Sequence, residues 1–277
     1  MNSYRYVLLD PTGNLTGLVL DPVLEEDRRR VTAALMKRCE QVGYLLPPEH
    51  PGSRARLRMM GGEFCGNASM GTAAFLCRQD RLAPDTEREL LLEVSGTDNP
   101  VRCRIRAPRE GGETWKGTVQ MPPVVEVRPI LFEGEEWTAV RLEGILHLIR
   151  EGELPDRQCA EQLLLRYAKQ CREPAVGLLQ WNAGKREMMP LVYVRAEGTL
   201  VWETACGSGS TAVGALEALR RGEGVTLTRI MQPGGEIEAA VQVSRGKVTE
   251  VRISGNVSLG PEEILCLADE KGGLNSD

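Results

Sequence analysis

Trp202-Glu203-Thr204-Ala205-Cys206-Gly207-Ser208-Gly209-Ser210-Thr211-Ala212 joins a strand-like run to a helix through a single cysteine and a set of small residues. The helix that follows takes its apolar face from Ala212, Val213, Leu216 and Leu219. An earlier stretch, Glu63-Phe64-Cys65-Gly66-Asn67-Ala68-Ser69, repeats the pattern. It follows a β-prone run over residues 54–60 and opens a helix with Met70, Ala73, Ala74 and Cys77 on one face and Asn67 or Ser69 as its cap. Two thiols in the same local setting are expected to face each other across a cleft.

The chain on either side of these stretches reads as two copies of one plan. Residues 4–9 and 16–20 form a hairpin around Asp10-Pro11-Thr12-Gly13-Asn14, and apolar positions 24, 31, 35, 39 and 42 predict a helix stopped at Gly43. Pro47, Pro48 and Pro51 enforce a loop before the first cysteine. After its helix come strands at 90–94, 101–105 and 118–121. Pro122-Pro123 marks a break. The second half has strands at 137–142 and 145–149, a helix over 157–171, strands at 191–194 and 200–202, then Cys206 and its helix. Strands at 225–231, 237–243 and 248–253 close it, joined by Pro233-Gly234-Gly235 and Arg245-Gly246. Strand, cysteine, helix and three strands recur, which predicts an internal duplication. The expected division is an N-terminal lobe over 1–122 carrying Cys65, a C-terminal lobe over 123–267 carrying Cys206, and a flexible tail over 268–277.

A length of 277 residues suits two lobes, and 42% hydrophobic with 26% charged residues is a globular balance. No apolar run approaches the roughly 20 residues of a membrane helix, and the first residues lack a basic start followed by an apolar run. A cytoplasmic protein is expected. The net charge of −5 and only 4 Trp, 5 Tyr and 3 Phe argue against nucleic acid as a partner. The eight cysteines contain no C-x-x-C, which weakens zinc and dithiol chemistry; no metal is expected, and the thiols should be reduced.

A cysteine where strand gives way to helix sits beside unpaired backbone N–H groups and the positive end of the helix dipole. That setting is expected to lower a thiol pKa from its usual value of roughly 8.5. The N–H groups of Gly66-Asn67 and of Gly207-Ser208-Gly209 can hold a carboxylate. Two such halves would grip an α-amino acid with one sulfur on each face of its α-carbon, supplying the base and acid that inversion needs without a cofactor. Three rivals are set against this. Gly207-x-Gly209-x-x-Ala212 with Glu223 downstream also fits a dinucleotide fingerprint, but leaves Cys65 unexplained. A single-cysteine nucleophile would need a paired histidine, and only His50 and His147 exist. A non-catalytic, duplicated amino-acid-binding module is the third.

The pairing of Cys65-Gly66-Asn67 with Glu203-Thr204-Ala205-Cys206-Gly207-Ser208-Gly209 resembles the diaminopimelate epimerase family of cofactor-independent racemases and epimerases, over nearly the whole chain. The resemblance implies an α+β fold of two pseudo-symmetric lobes, each a curved mixed sheet around a central helix, with the site between them. It implies Cys65 and Cys206 as the acid/base pair, and Gly66, Asn67, Gly207, Ser208 and Gly209 as carboxylate-binding helix starts. Asn14 would bind substrate, and His147, in Gly144-Ile145-Leu146-His147, would assist a cysteine. The epimerases carry a Glu-Arg-Gly segment where Glu197-Gly198-Thr199-Leu200 stands here, and an Asn-Ala-Asp-Gly where Arg58-Met59-Met60-Gly61-Gly62-Glu63 stands. With Pro11-x-Gly13-Asn14-x-Thr16, Gly62-Glu63-Phe64-Cys65 and Trp202-Glu203, the chain is more similar to the histidine racemases that supply D-histidine to opine-type metallophore synthesis. That similarity implies a small amino-acid substrate and gives Glu63, Glu203 or Glu197 an assisting or side-chain-binding role. Diaminopimelate epimerisation stays open as the alternative activity, and a homodimer stays open as the assembly.

Overall fold

In the computed structural model, which describes residues 2–152, 156–196 and 198–267, the chain builds a sheet-rich α+β structure. The first seven strands are β1 (Ser3–Pro11), β2 (Thr16–Val19), β3 (Gln41–Leu46), β4 (Ala55–Met59), β5 (Glu87–Val94), β6 (Val101–Arg106) and β7 (Trp115–Gln120). They pair in that order, and β7 then pairs with the last strand, β16 (Lys247–Cys266). β16 returns to β1 in antiparallel register, with Ser3 opposite Cys266 and Pro11 opposite Val257, so the eight strands close into a ring.

Helix α2 (Gly66–Gln79) fills that ring and is buried on every side from Gly66 to Cys77. Its Gly, Ala, Ser and Thr positions make this feasible, because a helix surrounded by strands has no polar face to keep in water. At Gly71 a Cβ would already touch the Leu9 side chain at 3.1 Å.

The remaining strands are β8 (Val124–Phe132), β9 (Glu135–Leu142), β10 (Ile145–Glu151), β11 (Ala175–Asn182), β12 (Glu187–Val194), β13 (Thr199–Trp202), β14 (Gly224–Gln232) and β15 (Gly235–Ser244). The sheet continues from β16 through β15, β14, β12, β11, β10 and β9 to β8, with β13 attached to β12. Helix α4 (Gly207–Arg221) packs inside this second curve, against β15, β14 and β16 on one side and β10, β9 and β8 on the other. Two amphipathic helices lie outside. α1 (Glu25–Leu35) seals Val31 and Leu35 over Tyr4, Tyr6 and Tyr44, and α3 (Arg157–Gln170) seals Leu163 and Leu164 over Leu148, Leu178 and Leu191.

Several elements differ from the sequence expectation. The first helix ends at Leu35 rather than reaching Gly43, and Val42 and Gly43 belong to β3, which pairs in parallel with β2. Cys39 and Val42 are nevertheless buried in the same cluster as Val31 and Leu35, so the periodicity located the burial but not the conformation. β8 and β11 were not expected. β16 extends well beyond 253, and the added length is the part that pairs with β1. No helix among the described residues is long and apolar enough to cross a membrane. The expected tail, 268–277, lies outside the described residues.

Candidate active site

Each inner helix begins at a cysteine that acts as its own N-cap. Cys65 is extended (φ −132°, ψ 109°) and its Sγ accepts a hydrogen bond from Ala68 N–H at 3.4 Å. Cys206 is also extended (φ −114°, ψ 109°), and its Sγ accepts from Gly209 N–H at 3.2 Å. Four residues on, the Ser69 and Ser210 hydroxyls donate to the carbonyls of Cys65 and Cys206 at 2.7 and 2.8 Å. The expected caps, Asn67 and Ser69, thus lie inside the helix, because a thiolate or thiol in the capping position takes the contact that a serine or aspartate oxygen usually takes.

The two helix starts approach each other over Ile253. A Cβ on Gly66 would lie 3.1 Å from Ile253 Cδ1, and one on Gly207 would lie 2.9 Å from the same atom and 3.3 Å from Asn67 Oδ1. The Asn67 amide donates across to Ala205 O at 3.0 Å. Glycine at 66 and 207 is therefore what lets two helix N-termini share one site. Both sulfurs line a cavity of about 380 Å³, together with Gly66, Asn67, Gly207 and Ser208.

Four carboxylates line the same cavity: Glu40, Glu63, Glu143 and Glu203. Among the described lining residues there is no Lys or Arg. The rest of the wall is largely apolar, including Phe64, Met121, Val192 and Val201. Glu40, Gln41 and Thr204 form a polar corner that the sequence reading missed. Asn14 donates to Glu40 Oε2 at 3.2 Å, Gln41 donates to Asn14 Oδ1 and to Thr16 Oγ1, and Thr204 Oγ1 donates to Gly13 O at 2.7 Å. The helical spacing that runs to position 42 takes in Glu40 and Gln41, and nothing in that pattern distinguishes them from surface residues. Behind Cys206, Gln232 accepts from Cys206 N–H at 2.7 Å and donates to Ser210 Oγ at 3.0 Å.

The thiol pKa values run opposite to the sequence expectation. Burial pushes Cys65 up to about 11, and the Ala68 N–H and Gln41 offset this only in part. Cys206 is raised well above its ordinary value, first by burial and then by the neighbouring Glu203 charge. Loss of water around the sulfur outweighs the helix N–H groups. Glu203 is itself raised to about 7 by burial, with the Cys206 contact pulling in the opposite direction and Glu40 adding to the rise.

Of the residues singled out in the sequence, Cys65, Cys206, Glu63, Glu203, Asn14, Gly66, Asn67, Gly207 and Ser208 all line the cavity. Gly209 turns its N–H onto the Cys206 sulfur. His147 is fully buried behind Ser208, with Nε2 2.9 Å from Ser208 Oγ. His50 is exposed on the Pro-rich loop, and its Nδ1 lies 2.9 Å from Pro51 O. Glu197 lies outside the described residues.

The chain is similar over most of its length to proteins already known. Over 244 residues the chain is 28% identical to a histidine racemase of Staphylococcus aureus (strain Mu50), covering 82% of this chain and 85% of that protein. A histidine racemase of Fusobacterium nucleatum is 26% identical over 246 residues, covering 86% and 88%. Among solved structures, a probable proline racemase from Agrobacterium radiobacter superposes with a TM-score of 0.72 at 15% identity, covering 98% of this chain and 94% of that one. A phenazine biosynthesis protein of the PhzF family from Bacillus anthracis does so with a TM-score of 0.70 at 15% identity, covering 96% and 100%. These likenesses identify the fold as that of the PhzF and proline racemase group. The family described as the histidine racemase CntK N-terminal domain matches residues 3–263, and the chain belongs to that family.

Proposed function

We propose that the protein racemises histidine without a cofactor, moving the α-proton between Cys65 and Cys206. The observation that carries this reading is the pair of cysteine-capped helix starts, alike in backbone angles and hydrogen bonds, that line one cavity. In one direction Glu203 takes the proton of the Cys206 thiol, and the thiolate removes the substrate α-proton. The Cys65 thiol then delivers a proton to the opposite face, and the return reaction exchanges the roles. N–H groups in the first turns of α2 and α4, which have no acceptor within their own helices, would hold the carboxylate as charge grows on it.

The acid-lined wall supports a substrate with a cationic or hydrogen-bond-donating side chain. Histidine fits that wall, with Glu63 and Glu203 as candidates to face its ammonium or imidazole. Diaminopimelate would bring a second carboxylate into a cavity whose described lining offers no Lys or Arg to meet it. The same reading takes the molecule as two diaminopimelate epimerase-like lobes, 1–122 and 123–267, with the site at their junction. It also places the enzyme in the cytoplasm, acting on free amino acid.

The test is incubation with L-histidine in deuterated water without pyridoxal phosphate. Deuterium should enter the α-position as D-histidine forms, and replacing both cysteines by serine should abolish this. Exchange that survives the double substitution would refute the thiol pair, and saturable binding with no exchange would favour a binding module. Faster turnover of diaminopimelate than of histidine in a panel of amino acids would overturn the substrate.

A further inference from the structure

The reaction as proposed gives no task to the buried histidine behind Ser208. His147 stands in β10, fully buried, opposite Gly177 of the neighbouring β11. A Cβ at position 177 would lie 2.6 Å from the imidazole Cε1 and would collide with Nδ1, so the ring occupies the space that only a glycine leaves. Nε2 is 2.9 Å from Ser208 Oγ, and Ser208 Oγ is 3.4 Å from Cys206 Sγ. Nδ1 has no hydrogen-bond partner among the described residues.

Those contacts assign the proton. Burial alone pushes the His147 pKa down to about 3, so the ring is neutral and carries a single N–H. Placed on Nδ1, the hydrogen would be an unpaired buried donor pressed against the Gly177 backbone, an arrangement that folded proteins avoid. Placed on Nε2, it donates to Ser208 Oγ and leaves only a lone pair idle. A serine oxygen that accepts from His147 turns its own hydrogen elsewhere, and Cys206 Sγ, 3.4 Å away, is the acceptor within reach.

We propose that His147, seated on Gly177, is a positioning residue that fixes Ser208 as a hydrogen-bond donor to Cys206. The proton leaving the Cys206 sulfur goes to the Glu203 carboxylate, the resulting thiolate accepts from Ser208 O–H and Gly209 N–H, and His147 stays neutral throughout. The other half of the site is built differently. Asn67 stands two residues after Cys65 as Ser208 does after Cys206, but its amide donates to Ala205 O, so Cys65 has no hydroxyl donor from that position. The paired helix starts thus differ at the sulfur: the Cys206 thiolate, once formed, has a hydroxyl donor that the matching position does not give Cys65.

This inference rests on Cys206 being an acid/base group, and its test reads protons without turnover. The chain has two histidines, and His50 is the exposed internal reference. Nitrogen NMR of protein labelled on histidine should show His147 with Nε2 protonated and Nδ1 bare; the reverse tautomer, or an imidazolium at neutral pH, would overturn the assignment. In a Cys65→Ser background, iodoacetamide labelling of Cys206 followed across pH by peptide mass reports the thiol directly. Ser208→Ala and His147→Leu should each slow labelling at neutral pH by about tenfold, one pKa unit. His147→Gln, which can donate from the Nε2 position, should restore most of the rate. Labelling unchanged in Ser208→Ala refutes the relay, and that variant decides the matter if His147→Leu does not fold. Should the tautomer and the labelling shifts hold while no amino acid exchanges its α-proton, the relay stands and the racemase reading fails.

Discussion

Glu203 lies on the cavity wall three residues before Cys206, with a carboxyl raised to about 7 by burial. As proton acceptor for the thiol it must be ionised before it acts, so kcat should rise with pH through about 7 and be lost as pH falls below it. A pH profile of Glu203→Gln should lack that limb and lie about 10²–10⁴-fold lower, the usual range for removing a positioned acid/base group. The same raised carboxyl has a stability consequence of defined sign. A folded-state pKa above the unfolded value of 4.5 means that stability is fully present below about 4.5 and declines as pH rises towards 7. Glu203→Gln should therefore raise the melting temperature at pH 8 and leave it nearly unchanged at pH 4, as thermal denaturation at the two values will check. Cys206 was legible in the sequence as a chemical residue because its neighbours are helix-starting glycines and serines. Its proton affinity was not legible, since that depends on how much water the opposite half excludes.

At the level of elements, the helices differ in how strongly function constrains them. α3 lies outside the second curve of the sheet, and Asp156 caps it by accepting from Cys159 N–H at 3.1 Å. Asp156→Ala should cost about 1 kcal/mol of stability, measured by urea denaturation, with kcat unchanged. α4 has no such freedom. A Cβ on Gly214 would lie 2.6 Å from Ala239 Cβ on β15, so Gly214→Val should cost about 1–3 kcal/mol and shift the Cys206 cap with the helix. The inner helices, the opening hairpin and the strands after each cysteine helix were readable from period and turn chemistry. β8 was hidden by Pro129 and by its charged and exposed positions, which an edge strand tolerates but a sequence pattern counts against. β11 was hidden by Gly177, a strand-weakening residue retained because His147 needs its space. The end of α1 is not legible in the spacing, because Cys39 and Val42 continue the helical period into a turn and a strand that bury the same face.

Across the whole molecule, the first ring is incomplete without β16, whose first half pairs with β15 and whose later residues pair with β7 and β1. Residues 1–122 expressed alone should therefore remain largely unfolded by circular dichroism, although they contain Cys65, α2 and seven of the strands. Intact protein should unfold in one cooperative transition, with tyrosine and tryptophan signals melting together. Two cysteine-headed helices were legible in the sequence, because each carries its own local signature. That the two curves of the sheet share a strand was not, since a partner so far away leaves no local period. The shared strand also sets an order of events on the ribosome. The half made first has to wait for β16 to be made before its ring can close around α2, so Cys65 is sealed into its final surroundings only after the Cys206 helix has been synthesised.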